Sequence, residues 1–338
     1  MTAMNTETDK KIPAAVVAFF QKLFRYRETS LILLLIALMI AVSLRAPSFL
    51  SADNLTDILM NISILIIVGL AQAMVILTKG LDLSVSSMIG LVAMMVGFIF
   101  KQFPDFSIGF AVLLGMGLGA VLGAFNGLIV AYGKVPPIIA TLGTLAIYRG
   151  LIFFYSQGTW INSFELPARF KVLSKGTLLG IPNMVAIALL VAVLVFVFLR
   201  YTRTGRNIYA VGSNVEAAKY AGIPTERISF LVYLLSGILS GLAAVLWASR
   251  YESAQTNTAL GFELQTITAA VIGGVSTNGG VGSVVGVLLG ALLLGTIQNS
   301  ITLIKISSFW QLAVQGLLIL IAVVSDKLIL NRVERLKK

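Results

Sequence analysis

The stretch RYTRTGRNIYAVGSNVEAAKYAGIPTER, residues 200–227, is a polar island between two long apolar runs. It carries Arg200, Arg203, Arg206, Lys219 and Arg227 against only Glu216 and Glu226. Apolar runs of the flanking length suit a bilayer, and basic loops between membrane spans favour the cytoplasmic side. The island therefore points to a membrane fold and to its orientation. It also spells a short helix over 214–221. Ser213 stands three residues before Glu216, the capping-box spacing in which a hydroxyl and a carboxylate satisfy backbone donors reciprocally. Gly222 then supplies a left-handed stop, and Pro224 prevents continuation. Two uses fit such a helix: a grip for another protein, or a solvated connector.

Composition agrees with the membrane reading. Of 338 residues, 58% are hydrophobic and 12% charged, against roughly 25% charged in a soluble domain. The net charge of +11 sits at the edges. It comes from Lys10, Lys11, Lys22, Arg25 and Arg27 before the first span, from the 200–227 island, and from Lys327, Arg332, Arg335, Lys337 and Lys338. That pattern is topology and attraction to membrane lipid; no nucleic-acid partner is expected. There is no cysteine and no histidine. Disulfides, thiolate or His-ligated metals and Ser–His or Cys–His catalysis are thereby excluded, and no catalytic or metal residue is expected. The first long apolar run starts near Ser30 without a following small-residue cleavage site, so it reads as uncleaved.

The fold class expected is all-α, a polytopic membrane bundle of about ten spans at 20 or so residues each. They fall near 29–45, 57–79, 84–101, 107–132, 137–155, 182–199, 228–249, 264–281, 283–304 and 309–326. Residues 1–28 form a cytoplasmic tail with an amphipathic interfacial helix over 13–27; 29–326 are the membrane domain; 327–338 are a basic cytoplasmic tail. Ten crossings put all three basic segments on one side. The 156–181 loop is the exception: it falls outside yet carries Arg169, Lys171 and Lys175 against Glu165.

Two spans are interrupted. TKGLDLSVSS (78–87) and GGVSTNGGVGS (273–283) are breaks rich in small polar residues. Irregular backbone inside a bilayer is tolerated only where it is buried in protein or lines a cavity. Their comparable positions suggest two related halves, inverted or parallel. Gly115, Gly119 and Gly123 recur every four residues, as do Gly282, Gly286 and Gly290, a spacing that lets helix backbones approach closely.

The segments GLDLSVSS (80–87), NGLIVAYGKVPPIIATLGTLAIYRG (126–150), TGRNIYAVGSNVEAAKYAGI (204–223), ITAAVIGGVSTNGGVGSVVGVLLGALLLG (267–295) and SSFWQLAVQGLLILIAVVSD (307–326), in this order, resemble the permease subunits of bacterial ABC importers for ribose, xylose, rhamnose and autoinducer-2. The segment 148–167 looks more like the rhamnose and autoinducer-2 permeases than the ribose ones. The resemblance implies a bacterial inner-membrane protein with both termini cytoplasmic, passing a monosaccharide inward by alternating access. It implies three partners: cytoplasmic ATP-binding subunits, a periplasmic sugar-binding protein, and a second permease copy or paralogue. No GxxxxGK[ST] phosphate loop occurs here, so no cofactor is expected on this chain, with ATP and Mg on the partner ATPase. The matching coupling segment places Gly205, Arg206, Asn207, Gly212, Ser213, Asn214, Glu216, Ala217, Ala218 and Gly222 against that partner and favours the grip over the connector.

Candidates for the translocation pathway are the polar and glycine positions at membrane depth: Asn61, Gln72, Gly80, Asp82, Ser84, Asn126, Thr141, Thr144, Thr268, Gly274, Thr277, Asn278, Gly280, Gln298 and Asn299. Amides and hydroxyls match sugar hydroxyls as donors and acceptors. The same groups also join helices, and for each one singly that is the simpler use. Asp82 fits a pore or gate residue, but better a cap of the next span. Arg149 fits a pair with Glu165 or outward snorkelling. Trp160, Trp247 and Trp310 fall near span ends, where interfacial anchoring accounts for them. Both breaks are expected inside the protein at membrane depth, flanking the path. A rival function is an ion-coupled secondary transporter, which calls for titratable groups in mid-span; here Asp82 and Glu263 are the candidates.

Overall fold

A computed structural model of the chain describes residues 27–305 and scattered positions from 307 to 324. The interfacial helix expected over 13–27 (Arg27 apart), more than half of the span expected over 309–326, and the basic tail lie outside the described residues.

The chain is a bundle of helices α1 (Arg27–Arg45), α2 (Ala52–Leu77), α3 (Val85–Gln102), α4 (Ile108–Gly127), α5 (Pro137–Ser156), α6 (Ala168–Lys175), α7 (Asn183–Tyr201), α8 (Arg203–Ser213), α9 (Val215–Tyr220), α10 (Thr225–Tyr251), α11 (Phe262–Ile272) and α12 (Val284–Leu303). A π-helical turn, Leu128–Tyr132, extends α4. The strands β1 (Thr177–Leu178) and β2 (Ile181–Pro182) form a small antiparallel hairpin.

Among the described residues, eight helices are long and apolar enough to cross a membrane: the stretches at 28–45, 52–77, 85–102, 108–132, 137–156, 183–201, 225–251 and 284–303. The span expected over 264–281 is corrected. It is helical only over Phe262–Ile272, after which the backbone turns through left-handed Gly274, Gly279 and Gly280. Glycine reaches that conformation without the Cβ clash other residues meet, so the run of glycines ends the helix early.

Burial sorts the helices into a centre and a rim. The most apolar window of α2 is 83% buried and that of α1 only 6%. Apolar side chains left bare on α1, α4, α5 and α7, such as Ile40, Phe110, Phe154 and Leu194, suit acyl chains rather than water. The glycine spacing works as expected. Gly119 and Gly123 of α4 meet Gly237 and Gly241 of α10 backbone to backbone, and Gly286 and Gly290 of α12 meet Gly273 and Ala269. Dispersion is the main attraction between helices in lipid, and it grows as backbones close in.

The alternating course gathers the loops at two ends. One end holds the corners 78–84, 133–136, 202–224 and 273–283. The opposite end holds 46–51, 103–107, 157–182 and 252–261. Cross-links confirm the sorting. Lys134 pairs with Glu226 (2.8 Å) at the first end. At the second, Lys101 pairs with Glu165 (2.7 Å), Lys171 and Lys175 pair with Glu252, Arg169 pairs with Asp105 (3.5 Å), and Ile161 bridges Ala254. The basic excess noted in 156–181 is thus met by acids from two neighbouring segments, Asp105 and Glu252. Glu252 is held down to about pKa 2 by Lys175, Ser163 and Lys171.

Candidate functional site: an amide-lined cavity and a buried polar knot

The polar candidates separate into three places. At the end opposite the 202–224 loop, a cavity of about 410 Å3 lies between α2, α10, α11 and α12. Asn61, Gln298 and Asn299 line it, as expected, together with Asp57, Trp247, Tyr251, Phe262 and Gln265. The amide nitrogen Nε2 of Gln298 is buried without a partner, a costly state unless something else accepts its hydrogen. Asn299 is occupied differently: it exchanges two hydrogen bonds with Asn54 (2.9 and 3.2 Å). An Arg250–Asp57 ion pair (3.0 Å) joins α10 to α2 beside the cavity.

Sequence reasoning missed the aromatic wall. Trp247, near the end of α10, stands edge-on to Phe262 (centroids 5.0 Å) and against Tyr251 (4.9 Å) and lines the cavity. The signal available was helical spacing: Trp247 and Tyr251 are four residues apart and share a face of α10. Gln265 was missed because a lone amide in a short helix carries no pattern.

The second place is sealed. Asp82 is fully buried. One carboxylate oxygen accepts from the Ser84 amide (3.0 Å) and hydroxyl (2.7 Å), the other from Ser236 (3.1 Å). Asn126 donates to the Ser84 hydroxyl oxygen (2.7 Å), and Tyr148 donates to the Leu122 carbonyl (2.9 Å) and to Asn126 (3.3 Å). With its amide turned to suit, Gln72 exchanges two bonds of 3.2 Å with the Asp82 backbone. Thr141 donates to the Leu81 and Pro137 carbonyls (3.1 and 2.9 Å), and Thr144 to Thr141 (3.3 Å). Gly80 is buried where a Cβ would press on the Tyr233 hydroxyl at 2.6 Å. The break at 78–84 is therefore a knot joining α2, α3, α4, α5 and α10, and none of these residues lines the cavity. Asp82 accepts from the backbone of Ser84, which is the N-cap of α3 but makes no side-chain cap bond, so the cap expected here is corrected: Asp82 ties the start of α3 to Ser236 of α10. Thr268 stands apart, bonded to Leu264 within α11 (2.6 Å).

The third place is the loop end. The sequence called for one helix over 214–221; the structure has two, α8 and α9. The expected capping box is corrected. Ser213 closes α8, and the N-cap of α9 is Asn214, whose side-chain oxygen accepts from Ala217 N (3.0 Å). Asn214 can take the role because its extended backbone turns the chain between the helices. Gly222 is left-handed (φ 78°), as expected. Arg206, Ser213, Asn214, Glu216, Ala217 and Gly222 are exposed, Asn207 is half-buried, and Gly205, Gly212 and Ala218 are buried. Tyr220, not singled out from sequence, is 90% exposed at the end of α9.

The 273–283 turn meets this loop rather than the middle of the bundle. Gly280 N donates to the Leu77 carbonyl (2.9 Å), and Gly212 lies against both. Left-handed Gly274 ends α11, and Thr277 and Asn278 are exposed at the tip. The expectation that both breaks lie inside the protein and flank the path is met in part: Gly80, Asp82 and Ser84 are buried but line no part of the cavity, Lys79 is exposed, and the polar side chains at the tip of 273–283 face outward beside an already polar loop. Arg149 is also corrected: it donates to the Thr256 and Thr258 carbonyls (3.0 Å each), holding the 252–261 corner.

Residues 54–323 match the family described as branched-chain amino acid transport system / permease component. The ribose import permease protein RbsC of Bacillus subtilis (strain 168) is 40% identical over 293 residues, 87% of this chain and 90% of the relative. RbsC of Escherichia coli (strain K12) is 38% identical over 310 residues, 91% and 96% of the two chains. The autoinducer 2 import system permease protein LsrC of Salmonella typhi is 35% identical over 300 residues, 89% and 85%. No solved structure matches the chain. A match of this length, joined to a multi-pass helical bundle with a polar cavity, makes the conclusion plain: the chain belongs to this family of transport-system permeases.

Proposed function

We propose that this chain is the translocation subunit of an ATP-driven importer for a monosaccharide or a similar small polyol, of the kind named in the ribose and autoinducer-2 relatives. The observation that carries the proposal is the cavity. Its lining carries the amide residues Asn61, Gln265, Gln298 and Asn299 and an aromatic wall, which suits a ring bearing both hydroxyls and C–H faces. The cavity then opens toward the periplasm and the 202–224 loop faces the cytoplasm of a bacterial inner membrane, as the basic excess favours. ATP and Mg bind partner ATPase chains that grip α8 and α9. A periplasmic binding protein delivers the solute, and a second permease completes the pore. No bond is made or broken on this chain. At Asp82 the ion-coupled alternative is less suited: both oxygens are engaged in a sealed knot rather than facing a water path.

The test uses the absence of native cysteine. Ser213→Cys is expected to react with an impermeant maleimide in inside-out vesicles and not in intact cells; reaction in intact cells overturns the orientation. Ala218→Pro removes the Ala218 N bond to the Asn214 carbonyl (3.0 Å) and breaks α9, at a cost of about 3 kcal/mol to the helix. Uptake and sugar-stimulated ATP hydrolysis should both fall while membrane insertion persists. Normal uptake would make the loop a connector only.

A further inference from the structure

We infer that Tyr209 is a positioning residue that fastens the cytoplasmic loop to the 273–283 turn, and that this turn, not the following span α10, receives the motion of the loop. The inference rests on the reading that an ATPase grips α8 and α9. Tyr209 on α8 donates to the Gly282 carbonyl (3.1 Å). Burial pushes its phenol above the ordinary value, so it stays a donor. One turn further along α8, a Cβ on Gly212 would overlap the Leu77 carbonyl oxygen and stand 2.5 Å from the Gly280 amide. A Cβ on Gly280 would stand 2.7 Å from Ser213 N. Three backbones therefore touch with no side chain between them, a contact that transmits displacement without slack.

The other exit from the loop is softer. Between α9 and α10 the chain runs through exposed Gly222, left-handed and with nothing within 4 Å of a Cβ built on it. The turn itself is closed by Ser276 N to the Val281 carbonyl (2.8 Å) and Gly279 N to the Ser276 carbonyl (2.9 Å). It continues into α11, 11 residues and about 16 Å long, whose far end supplies Phe262 and Gln265 to the cavity. Gly273 and Gly286 pack backbone to backbone, so the turn, α11 and the start of α12 form one body. Movement of α8 then reaches two walls of the cavity through that body, with the Leu77 contact as its pivot on α2.

The test uses the assembled complex with its ATP-binding subunits in liposomes. Gln265→Cys, in the otherwise cysteine-free chain, reports the cavity by maleimide labelling from outside, with and without vanadate-trapped nucleotide. Labelling is expected to change on trapping in the Tyr209 background and to change about fivefold less with Tyr209→Phe, the scale of one net hydrogen bond. Ribose uptake per ATP hydrolysed is expected to drop by a similar factor, while the ATP-binding subunits still co-purify. Gly212→Ala is expected to act in the same direction and more strongly; should it fail to assemble, Tyr209→Phe decides alone. Unchanged labelling response and unchanged uptake per ATP in Tyr209→Phe overturn the inference and leave the proposed function standing. Labelling of Gln265→Cys that ignores trapped nucleotide with Tyr209 intact overturns both.

Discussion

The knot around Asp82 and the cavity beside Gln298 are made of the same materials, amides, hydroxyls and tyrosine edges set in apolar helices, yet they are opposites in how their hydrogen bonds close. In the knot Ser84, Asn126, Ser236 and the turned Gln72 amide serve one another and the Asp82 carboxylate and backbone. In the cavity Gln298 keeps a donor without a partner beside about 410 Å3 of space. The difference teaches that a polar residue in a membrane helix is neither glue nor site by its type. A closed set of bonds fixes helices in place; an open set beside a void waits for a solute. Substitution should therefore damage folding in one place and transport in the other.

The largest effect is expected at Asp82. Asp82→Ala leaves the Ser84 amide and hydroxyl and the Ser236 hydroxyl without their acceptor. With charge-assisted bonds at about 1.5–3 kcal/mol each, the loss exceeds about 3 kcal/mol. Most of the protein should then be missing from the monodisperse fraction in detergent, whatever sugar is added. A well-folded Asp82→Ala chain that merely fails to transport would place Asp82 on the path and dissolve the comparison.

Next comes Gln298→Leu. Its free donor contributes nothing to the resting fold, so thermal stability should hold within about 1 kcal/mol, while loss of one solute hydrogen bond lowers uptake about tenfold. A melting temperature that falls as far as that of Asp82→Ala would make the cavity structural too.

Asn299→Ala tests the boundary between the classes, since Asn299 lines the cavity but is bonded to Asn54. Its substitution should cost about 1 kcal/mol of stability and only a few-fold in uptake. An effect on uptake as large as that of Gln298→Leu would mean that the Asn54 pair opens during transport.

The smallest effect is expected at Glu252, far from both clusters in function though near the cavity end. Its carboxyl is held at about 2, below the ordinary 4.5, by Lys175, Ser163 and Lys171. A depressed value means that the stabilisation is complete above pH 4.5 and is lost as pH falls toward 2. Glu252→Gln should thus lower stability by less than about 1 kcal/mol, equally from pH 5 to pH 8, as is usual for ion pairs near solvent. A pH-dependent gap within that window would contradict the assignment.

The helices and their order were legible because apolar length and glycine spacing are local quantities: Ala52–Leu77, Thr225–Tyr251 and the Gly115–Gly119–Gly123 stripe carry their own explanation. Apolar residues alone make α11 look longer than it is; that left-handed glycines end it at Ile272 depends on backbone angles. Within the loop, Ser213 and Asn214 both make acceptable caps, and the choice fell to Asn214 once α8 had used Ser213 as its last residue.

By itself the sequence determined that this chain spans a membrane, roughly where it does so, which loop is basic and which chemistry is excluded, because hydropathy, charge and missing residue types are properties of the chain at any conformation. Tertiary structure alone decided which polar groups pair off and which face a void. Asn126 and Gln298 look alike in sequence, and only the approach of α3, α4 and α5 closes the hydrogen bonds of the first, while the Nε2 of the second is left without a partner in a side chain that lines the gap between α2, α10, α11 and α12. Hydrogen-bond satisfaction is a relation between segments far apart in the chain, and it exists only once they have packed.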